Sequence, residues 1–256
     1  MKIGVMQGRL SPPTEGFQEC PVNWRREFDV LADLGLSHID WVVTKNSFAT
    51  NPFFFERLSK YSINAVCADN LVDRDILDEE YFMRNMVPIC RSAIRNRIKN
   101  ITIPLLEESD MQKDKDRERF IELLLPLVDL YEDLDFSFEA ELEAKKLLEI
   151  VSLRDNFFVT YDTGNITSCG FDHEEYINLV KHKINNVHLK DRTHDAVTVP
   201  PLTGDTDFEL IFKTLKDVGY NGTYTLQAAR EQSGEETETI SKYIKTFKEL
   251  NSEESI

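Results

Sequence analysis

Residues 186–208 read NVHLKDRTHDAVTVPPLTGDTDF, and this stretch decides how the chain folds. Its first part is typical of a buried strand that ends on His188, and an irregular polar segment follows. Gly204, Asp205 and Thr206 then stand at the start of an amphipathic helix. In α/β proteins, chemistry is usually placed where a strand leaves the core in this way. We therefore expect functional groups at this strand end and at the ends of equivalent strands.

The pattern of a short apolar strand followed by an amphipathic helix recurs eight times in the 256 residues. Eight such units predict a single (β/α)₈ TIM barrel over residues 1–256, with a frayed tail at 251–256. A doubly wound sheet would usually carry a glycine-rich phosphate-binding turn after its first strand, and Gly4-x-x-x-Gly8 is not that motif. The predicted strands are 2–7, 37–43, 64–68, 100–105, 136–142, 157–161, 185–189 and 223–227. The predicted helices are about 24–35, 52–60, 79–97, 114–134, 143–153, one from 173, 208–218 and 236–250.

Composition excludes several classes of protein. The formal charge of −16 opposes binding to a nucleic-acid backbone, because such binding relies on Lys and Arg displacing counterions. No apolar run is long enough to span a bilayer, and the first residues lack the features of a secretory signal, so we expect a cytoplasmic protein without a membrane partner. The four cysteines are scattered and form no Cys-x-x-Cys pair, which predicts reduced, structural thiols.

Polar side chains end the last four predicted strands. They are Glu139, Asp162, His188 and Gln227. All strand ends of a barrel face one mouth, so we expect these side chains to be neighbours. Two carboxylates, an imidazole and an amide oxygen suit a divalent cation such as Mn²⁺, Mg²⁺, Co²⁺ or Zn²⁺. Each residue alone has an ordinary structural explanation, such as a hydrogen-bonded histidine or a turn-stabilising aspartate; the four together favour a metal site.

Four segments give the chain a family resemblance. They are MQGRLSP (6–12), YDTGN (161–165), VHLKDR (187–192) and LTGDTDF (202–208). Through them nearly the whole chain resembles the xylose isomerase-like barrels, the sugar phosphate isomerases and epimerases that include tagatose epimerases and inosose-processing enzymes.

The resemblance implies a metal held by a Glu, an Asp, a His and a second Glu after strands five to eight. Glu139, Asp162 and His188 match the first three. Gln227 replaces the second Glu, and a branch of the family with the same opening segment has Leu-Gln-x-Ala-Arg at this place.

Gln227 changes the expected mechanism. A glutamine oxygen can ligate a metal but cannot accept a proton at neutral pH, and epimerisation beside a carbonyl commonly uses one base on each face. Glu139 is then the one obvious base, which favours same-face proton transfer through a metal-stabilised enediolate, as in aldose–ketose isomerisation. Glu141 has the same strand parity as Glu139 and is either a replacement acid or a solvated rim carboxylate.

Five residues are candidates for contacts with the substrate. Asn165 stands where some relatives of the family place a substrate-binding histidine. Arg9, Lys190, Arg192 and Arg230 would supply positive charge for a phosphate or carboxylate, or would form ordinary rim salt bridges. The expected partner is therefore a small sugar or sugar phosphate, and the resemblance also allows a homo-oligomer.

Aromatic side chains offer a weaker prediction. Trp41, Phe17 and Phe48 are candidates for stacking on a sugar ring, although packing in the core or in a lid is the more ordinary role.

Three other functions remain open from the sequence. An inosose-type dehydratase or lyase could use the same metal–enediolate chemistry to expel a β-hydroxyl group. A non-catalytic sugar-binding barrel would explain Gln227 as lost activity. An endonuclease of the same fold is disfavoured, because such enzymes need a histidine-rich cluster of three metals and the chain has five histidines, of which His188 alone is well placed.

Overall fold

A closed barrel of parallel strands forms the centre of the molecule, as the sequence predicts. The computed structural model describes residues 1–12 and 20–252. Every strand in these residues except β8 and β9 belongs to the barrel, and β1 pairs with both β2 and β10 to close it. The strands are β1 (Lys2–Met6), β2 (Ile39–Val42), β3 (Ile63–Cys67), β4 (Asn100–Leu105), β5 (Asp135–Ala140), β6 (Phe157–Asp162), β7 (Ile184–Leu189), β8 (Asp191–Arg192), β9 (Thr198–Val199) and β10 (Thr223–Leu226).

Helices lie between the strands and bury their apolar faces against the outside of the barrel. Short 3₁₀ helices occur at Asp69–Leu71, Arg74–Leu77 and Glu107–Ser109. No helix within the described ranges is both long enough and apolar enough to cross a membrane. The α-helices are α1 (Trp24–Asp33), α2 (Pro52–Phe55), α3 (Glu79–Asn96), α4 (Asp114–Leu130), α5 (Ala144–Val151), α6 (Thr163–Ser168), α7 (His173–Val180), α8 (Phe208–Asp217) and α9 (Glu236–Ser252).

Alternation along the strands decides which side chains enter the barrel. In β5, Phe138 faces outward, where its ring packs edge-on against Phe157 with 5.3 Å between centroids. Ser137 and Glu139 have the opposite parity and face inward. Ser137 accordingly meets Thr160 of β6 at 2.7 Å between hydroxyl oxygens. The outward residues therefore build the apolar core with the helices, and the inward residues are free to carry polar groups.

Polar side chains hydrogen-bond across the barrel below its mouth. Asn186 of β7 donates from Nδ2 to Oδ2 of Asp40 in β2 at 2.7 Å. These strands are not neighbours, since β1 and β10 lie between them, so the bond crosses the interior. Thr225 of β10 donates to the same carboxylate oxygen at 2.7 Å. Buried polar groups of this kind need complete hydrogen bonding, and the network supplies it.

Several predicted boundaries were wrong. The helix predicted for residues 52–60 ends at Phe55, because Glu56 is extended and the N–H of Leu58 is held by the Asn96 side chain at 2.8 Å. The helix predicted for 114–134 ends at Leu130. Asn251 and Ser252, the first two residues of the predicted frayed tail, are helical, and residues 253–256 lie outside the described part of the chain.

Two features near the barrel mouth were not foreseen. A short helix, α6, follows β6 directly, where the sequence indicated a turn; Asp162 caps it by accepting the N–H of Asn165 at 2.8 Å. The irregular segment after β7 contains the antiparallel pair β8–β9, after which α8 begins at Phe208, as predicted, with Asp207 as its cap. Side-chain capping by aspartate explains both starts.

Candidate active site

Glu139, Asp162 and His188 form a buried cluster at the carboxyl ends of β5, β6 and β7. One ligand atom from each residue can be chosen so that all three atoms lie within 4.8 Å of one another. The three side chains meet because their strands are neighbours in the barrel, with Asp162 paired to His188 in the strand register. All three are at most 3% exposed. The sequence therefore predicted three residues that the fold brings together, and their donor atoms suit a divalent cation.

His188 lies between two carboxylates. Its Nδ1 is 3.3 Å from Oε2 of Glu139, and its Nε2 is 3.4 Å from Oδ2 of Asp40. Burial alone would lower the pKa of His188, but the negative charges of Glu139 and Asp40 outweigh burial and raise it. The same imidazole holds the pKa of Glu139 below its usual range, although burial acts in the opposite direction.

Asp162 has two different partners. Its Oδ1 accepts the backbone N–H of Asn165 at 2.8 Å, which orients the carboxylate. Its Oδ2 lies 2.9 Å from Nζ of Lys190, a side chain that is itself buried. Burial raises the pKa of Asp162, and the charge of Lys190 acts against this shift. The ammonium group thus lies directly beside one of the candidate ligands.

Gln227 and Asn165 each leave a buried carbonyl oxygen without a hydrogen bond among the described residues. Asn165 donates through Nδ2 to Oε1 of Glu139 at 3.1 Å, so its Oδ1 is the free end of an oriented amide. Gln227 follows β10, and its backbone N–H is bound to the carbonyl oxygen of Leu189 at 3.1 Å. Buried acceptors without donors are costly, and a cation or a substrate hydroxyl would satisfy them. The donor set therefore fits a divalent cation.

Lys190 and Arg192 form one of two groups of positively charged side chains predicted to contact the substrate. Both stems pack over Gly164, where an added Cβ would lie 3.1 Å from the Cγ atoms of both. Arg192 places Nη1 3.5 Å from Oε1 of Glu141, which is partly exposed at the rim. Glu141 is thus paired with the guanidinium group of Arg192. Its two predicted roles, replacement acid and solvated rim carboxylate, stay predictions.

Arg9 and Arg230 form the second group, beside the loop after β1. Arg230 donates to the carbonyl oxygens of Gly8 and Ser11, the latter at 2.9 Å. Arg9 is buried; burial and the nearby charge of Arg230 lower its pKa to about 9. Glu27 of α1 accepts the N–H of Gly8 at 3.0 Å and so fixes the same loop. Arg230 is therefore engaged in holding this loop in the described structure.

The predicted aromatic candidates fall in different places. Trp41 is fully buried and donates from Nε1 to Oδ1 of Asn51 at 2.9 Å, which makes it a core residue. Phe48 packs against Phe54, with 4.8 Å between ring centroids. Phe17 lies outside the described residues.

Two acidic residues near the cluster were missed by sequence reasoning. Asp40 interrupts the apolar strand Ile-Asp-Trp-Val, and its inward parity was the signal that could have identified it. Burial would raise the pKa of Asp40, but His188, His38 and Thr225 outweigh burial and lower the pKa to about 2. Asp69 follows β3, and burial, together with the charge of Glu139, raises its pKa to about 6. Both residues add negative charge around the cluster.

Comparisons with known proteins agree with this architecture. A family model described as the xylose isomerase-like TIM barrel matches residues 54–250, and the chain belongs to that family. No curated protein shows a significant sequence match.

Solved structures of the same fold cover almost the whole chain. A crystal structure of IOLI protein with a bound zinc atom has a TM-score of 0.76 and 17% identity, and the match covers 98% of each chain. D-psicose 3-epimerase with D-tagatose from Clostridium cellulolyticum H10 has a TM-score of 0.68 and 13% identity, covering 98% of this chain and 99% of that one. The probable 3-DHS dehydratase AsbF from Bacillus anthracis has a TM-score of 0.71 and 12% identity, covering 97% and 99%. At these identities the likeness shows a shared fold.

Proposed function

We propose that the protein is a divalent-cation-dependent isomerase or epimerase of a small sugar, sugar phosphate or polyol. The buried cluster of Glu139, Asp162 and His188 supports this most directly, because it offers three donor atoms that lie within 4.8 Å of one another. Gln227 is the proposed fourth ligand through its unsatisfied oxygen. A bound Mn²⁺, Mg²⁺, Co²⁺ or Zn²⁺ would polarise neighbouring sugar oxygens and acidify the adjacent C–H bond. The zinc in the related IOLI structure is consistent with this choice of ion.

Glu139 is the proposed base. Its Oε1 is oriented by Asn165 at 3.1 Å, and its lowered pKa keeps it ionised. Gln227 cannot accept a proton, so proton removal and return would occur on one face of the substrate. This favours a 1,2-isomerisation through an enediolate over an epimerisation that needs two bases.

The substrate would be held by polar groups around the cluster. Asn165 presents its free Oδ1 to a substrate hydroxyl. Lys190 and Arg192 follow β7, and Arg9 and Arg230 follow β1 and β10, so these side chains would offer positive charge to a phosphate or carboxylate on the sugar. A homo-oligomer and a cytoplasmic location remain predictions.

Proton NMR in D₂O tests the reaction. Purified protein with each divalent cation would be incubated with a panel of aldoses, ketoses and their phosphates. Solvent deuterium should enter at one carbon of a substrate as its isomer appears. Loss of water from the substrate would indicate an inosose-type dehydratase instead, an alternative that the structural likeness to AsbF keeps in view. Sugar binding without exchange at any carbon would indicate a non-catalytic barrel.

Glu139→Gln separates the base from the rest of the site. This substitution keeps an oxygen that can ligate a cation but removes the proton acceptor, so we expect deuterium exchange to fall by about 10²-fold or more while the cation still binds. Glu108→Gln removes an exposed carboxylate at the same rim and should leave exchange unchanged. Normal exchange in Glu139→Gln would rule out Glu139 as the base.

A further inference from the structure

Asp40 is a buried carboxylate for which the proposed reaction has no use. It lies in β2, is 1% exposed, and places Oδ2 3.4 Å from Nε2 of His188. The other ring nitrogen, Nδ1, lies 3.3 Å from Oε2 of Glu139, on the side of the candidate ligands. The two edges of the imidazole ring therefore face different groups. Nδ1 faces the cluster, and Nε2 faces Asp40.

The Asp40 carboxylate is fixed from three strands. Asn186 and Thr225 each donate to Oδ2 at 2.7 Å, and Asn64 donates to Oδ1 at 3.0 Å. These donors come from β7, β10 and β3, so the carboxylate cannot rotate away from His188 without breaking bonds across the barrel. A carboxylate held this firmly is suited to orienting its neighbour.

Asp40 also adds to the negative charge around the proposed cation site. Gln227 is neutral, so Glu139 and Asp162 supply the negative charge among the four proposed ligands, and Lys190 already lies 2.9 Å from Asp162. Asp40 adds a third carboxylate on the far side of the imidazole. With its proton on Nε2, 3.4 Å from Oδ2 of Asp40, the imidazole would be polarised by that charge, which makes Nδ1 a stronger donor to a cation.

We infer that Asp40 is a positioning residue for the cation site. It holds His188 as the tautomer that carries its proton on Nε2, and it turns the Nδ1 lone pair toward the cation. This inference rests on the proposed function, since it assumes that the cluster binds a divalent cation.

Cation affinity is the first measurement, by competition between the protein and a chromogenic chelator for Zn²⁺. Asp40→Asn should weaken binding about 10- to 100-fold, the usual effect of losing a carboxylate behind a metal-bound histidine. Asp40→Ala removes the acceptor entirely and should weaken binding at least as much. Thermal unfolding without the cation checks that each variant is folded.

Thr225→Val is the matched control. It removes one hydrogen bond to Asp40 and leaves the contact between Asp40 and His188 in place. We expect this variant to lose thermal stability while keeping its Zn²⁺ affinity within about threefold of wild type. Equal weakening in Thr225→Val and Asp40→Asn would overturn the inference, because it would assign Asp40 a purely structural role.

Nitrogen-15 NMR of the Zn²⁺-loaded protein gives an independent readout. The His188 ring should show a protonated Nε2 and an unprotonated Nδ1 in wild type, and the Nε2 proton should exchange faster with water in Asp40→Ala. Unchanged Zn²⁺ affinity in Asp40→Asn, or a proton on Nδ1 in wild type, would refute the role of Asp40 and leave the proposed function standing. Failure of the wild type to bind any divalent cation would refute the proposed function as well.

Discussion

Gln227 is the single side chain on which the proposed chemistry depends most. It occupies the end of β10 with a buried oxygen that has no donor among the described residues. Replacing it with Glu would add a charged ligand to the centre. Gln227→Glu should therefore bind Mn²⁺ more tightly than wild type in a chelator competition, and it should open a second site of proton transfer on the substrate. Gln232→Glu makes the same chemical change at an exposed position and should alter neither property. Unchanged affinity in Gln227→Glu would remove Gln227 from the ligand set.

His173 gives a prediction for stability as a function of pH. Burial lowers its pKa from 6.5 to about 4, and its ring nitrogens lie 2.5 Å from the Tyr161 hydroxyl and 3.0 Å from that of Thr167. As the pH falls, His173 takes up a proton in the unfolded chain before it does so in the folded protein. Its contribution to the free energy of unfolding is therefore complete above about pH 6.5 and is lost as the pH falls toward 4. The shift corresponds to roughly 3 kcal/mol. Urea unfolding from pH 4 to 7 should show this loss, and His173→Gln should flatten the profile. His182→Gln, an exposed control, should leave the profile unchanged.

At the scale of elements, Asp191 organises the segment between β7 and α8. Its buried carboxylate accepts the backbone N–H groups of Thr203, Gly204 and Thr206 at 3.1, 2.9 and 3.2 Å. Gly204 approaches so closely that an added Cβ would lie 2.3 Å from Asp191 Oδ1. This carboxylate therefore holds in place the segment beside Lys190.

Asp191→Asn should release that segment. The substitution replaces one charged acceptor oxygen by a donor, so we expect a loss of roughly 2 kcal/mol in the free energy of unfolding. Hydrogen exchange should also accelerate in residues 193–206. Asp195→Asn changes an exposed aspartate in the same segment and should have neither effect. Protection equal to wild type in Asp191→Asn would show that the hairpin β8–β9 orders the segment by itself.

Element types were easier to predict than element ends. Apolar and polar residues alternate along β5, and apolar residues recur at helical spacing along α8. Both patterns reflect which side chains are buried, so they can be seen directly in the sequence. The end of α2 depends on Asn96, a residue 41 positions after Phe55, and no local pattern contains that contact. The cluster of Glu139, Asp162 and His188 was predictable from strand ends, whereas Asp40 was not, because it lies inside β2 and its partners come from β3, β7 and β10.

At the scale of the whole molecule, cation binding should stabilise the fold. Ligation by the proposed site would join β5, β6 and β7 at the mouth, and a ligand that binds only the folded state adds stability in proportion to the logarithm of its concentration. At 100 times the dissociation constant, this is about 2.7 kcal/mol. For a chain of this size we expect a rise of roughly 5–10 °C in the melting temperature. Differential scanning fluorimetry across Mn²⁺, Mg²⁺, Co²⁺ and Zn²⁺ measures it, and His188→Gln should abolish most of the rise. A rise that survives in His188→Gln would place the cation elsewhere.

The strict alternation of inward and outward residues limits how the barrel can change. One residue inserted near the start of β5 would shift Glu139 to the helix-facing side and direct Phe138 into the interior. An insertion in any other barrel strand would exchange its inward and outward side chains in the same way. Insertions and deletions within the barrel strands are therefore expected to destroy the site. The turn between β8 and β9, with its exposed Val197, can differ in length far more freely. Libraries that seek new substrates should accordingly vary length there and vary only identity at the strand ends.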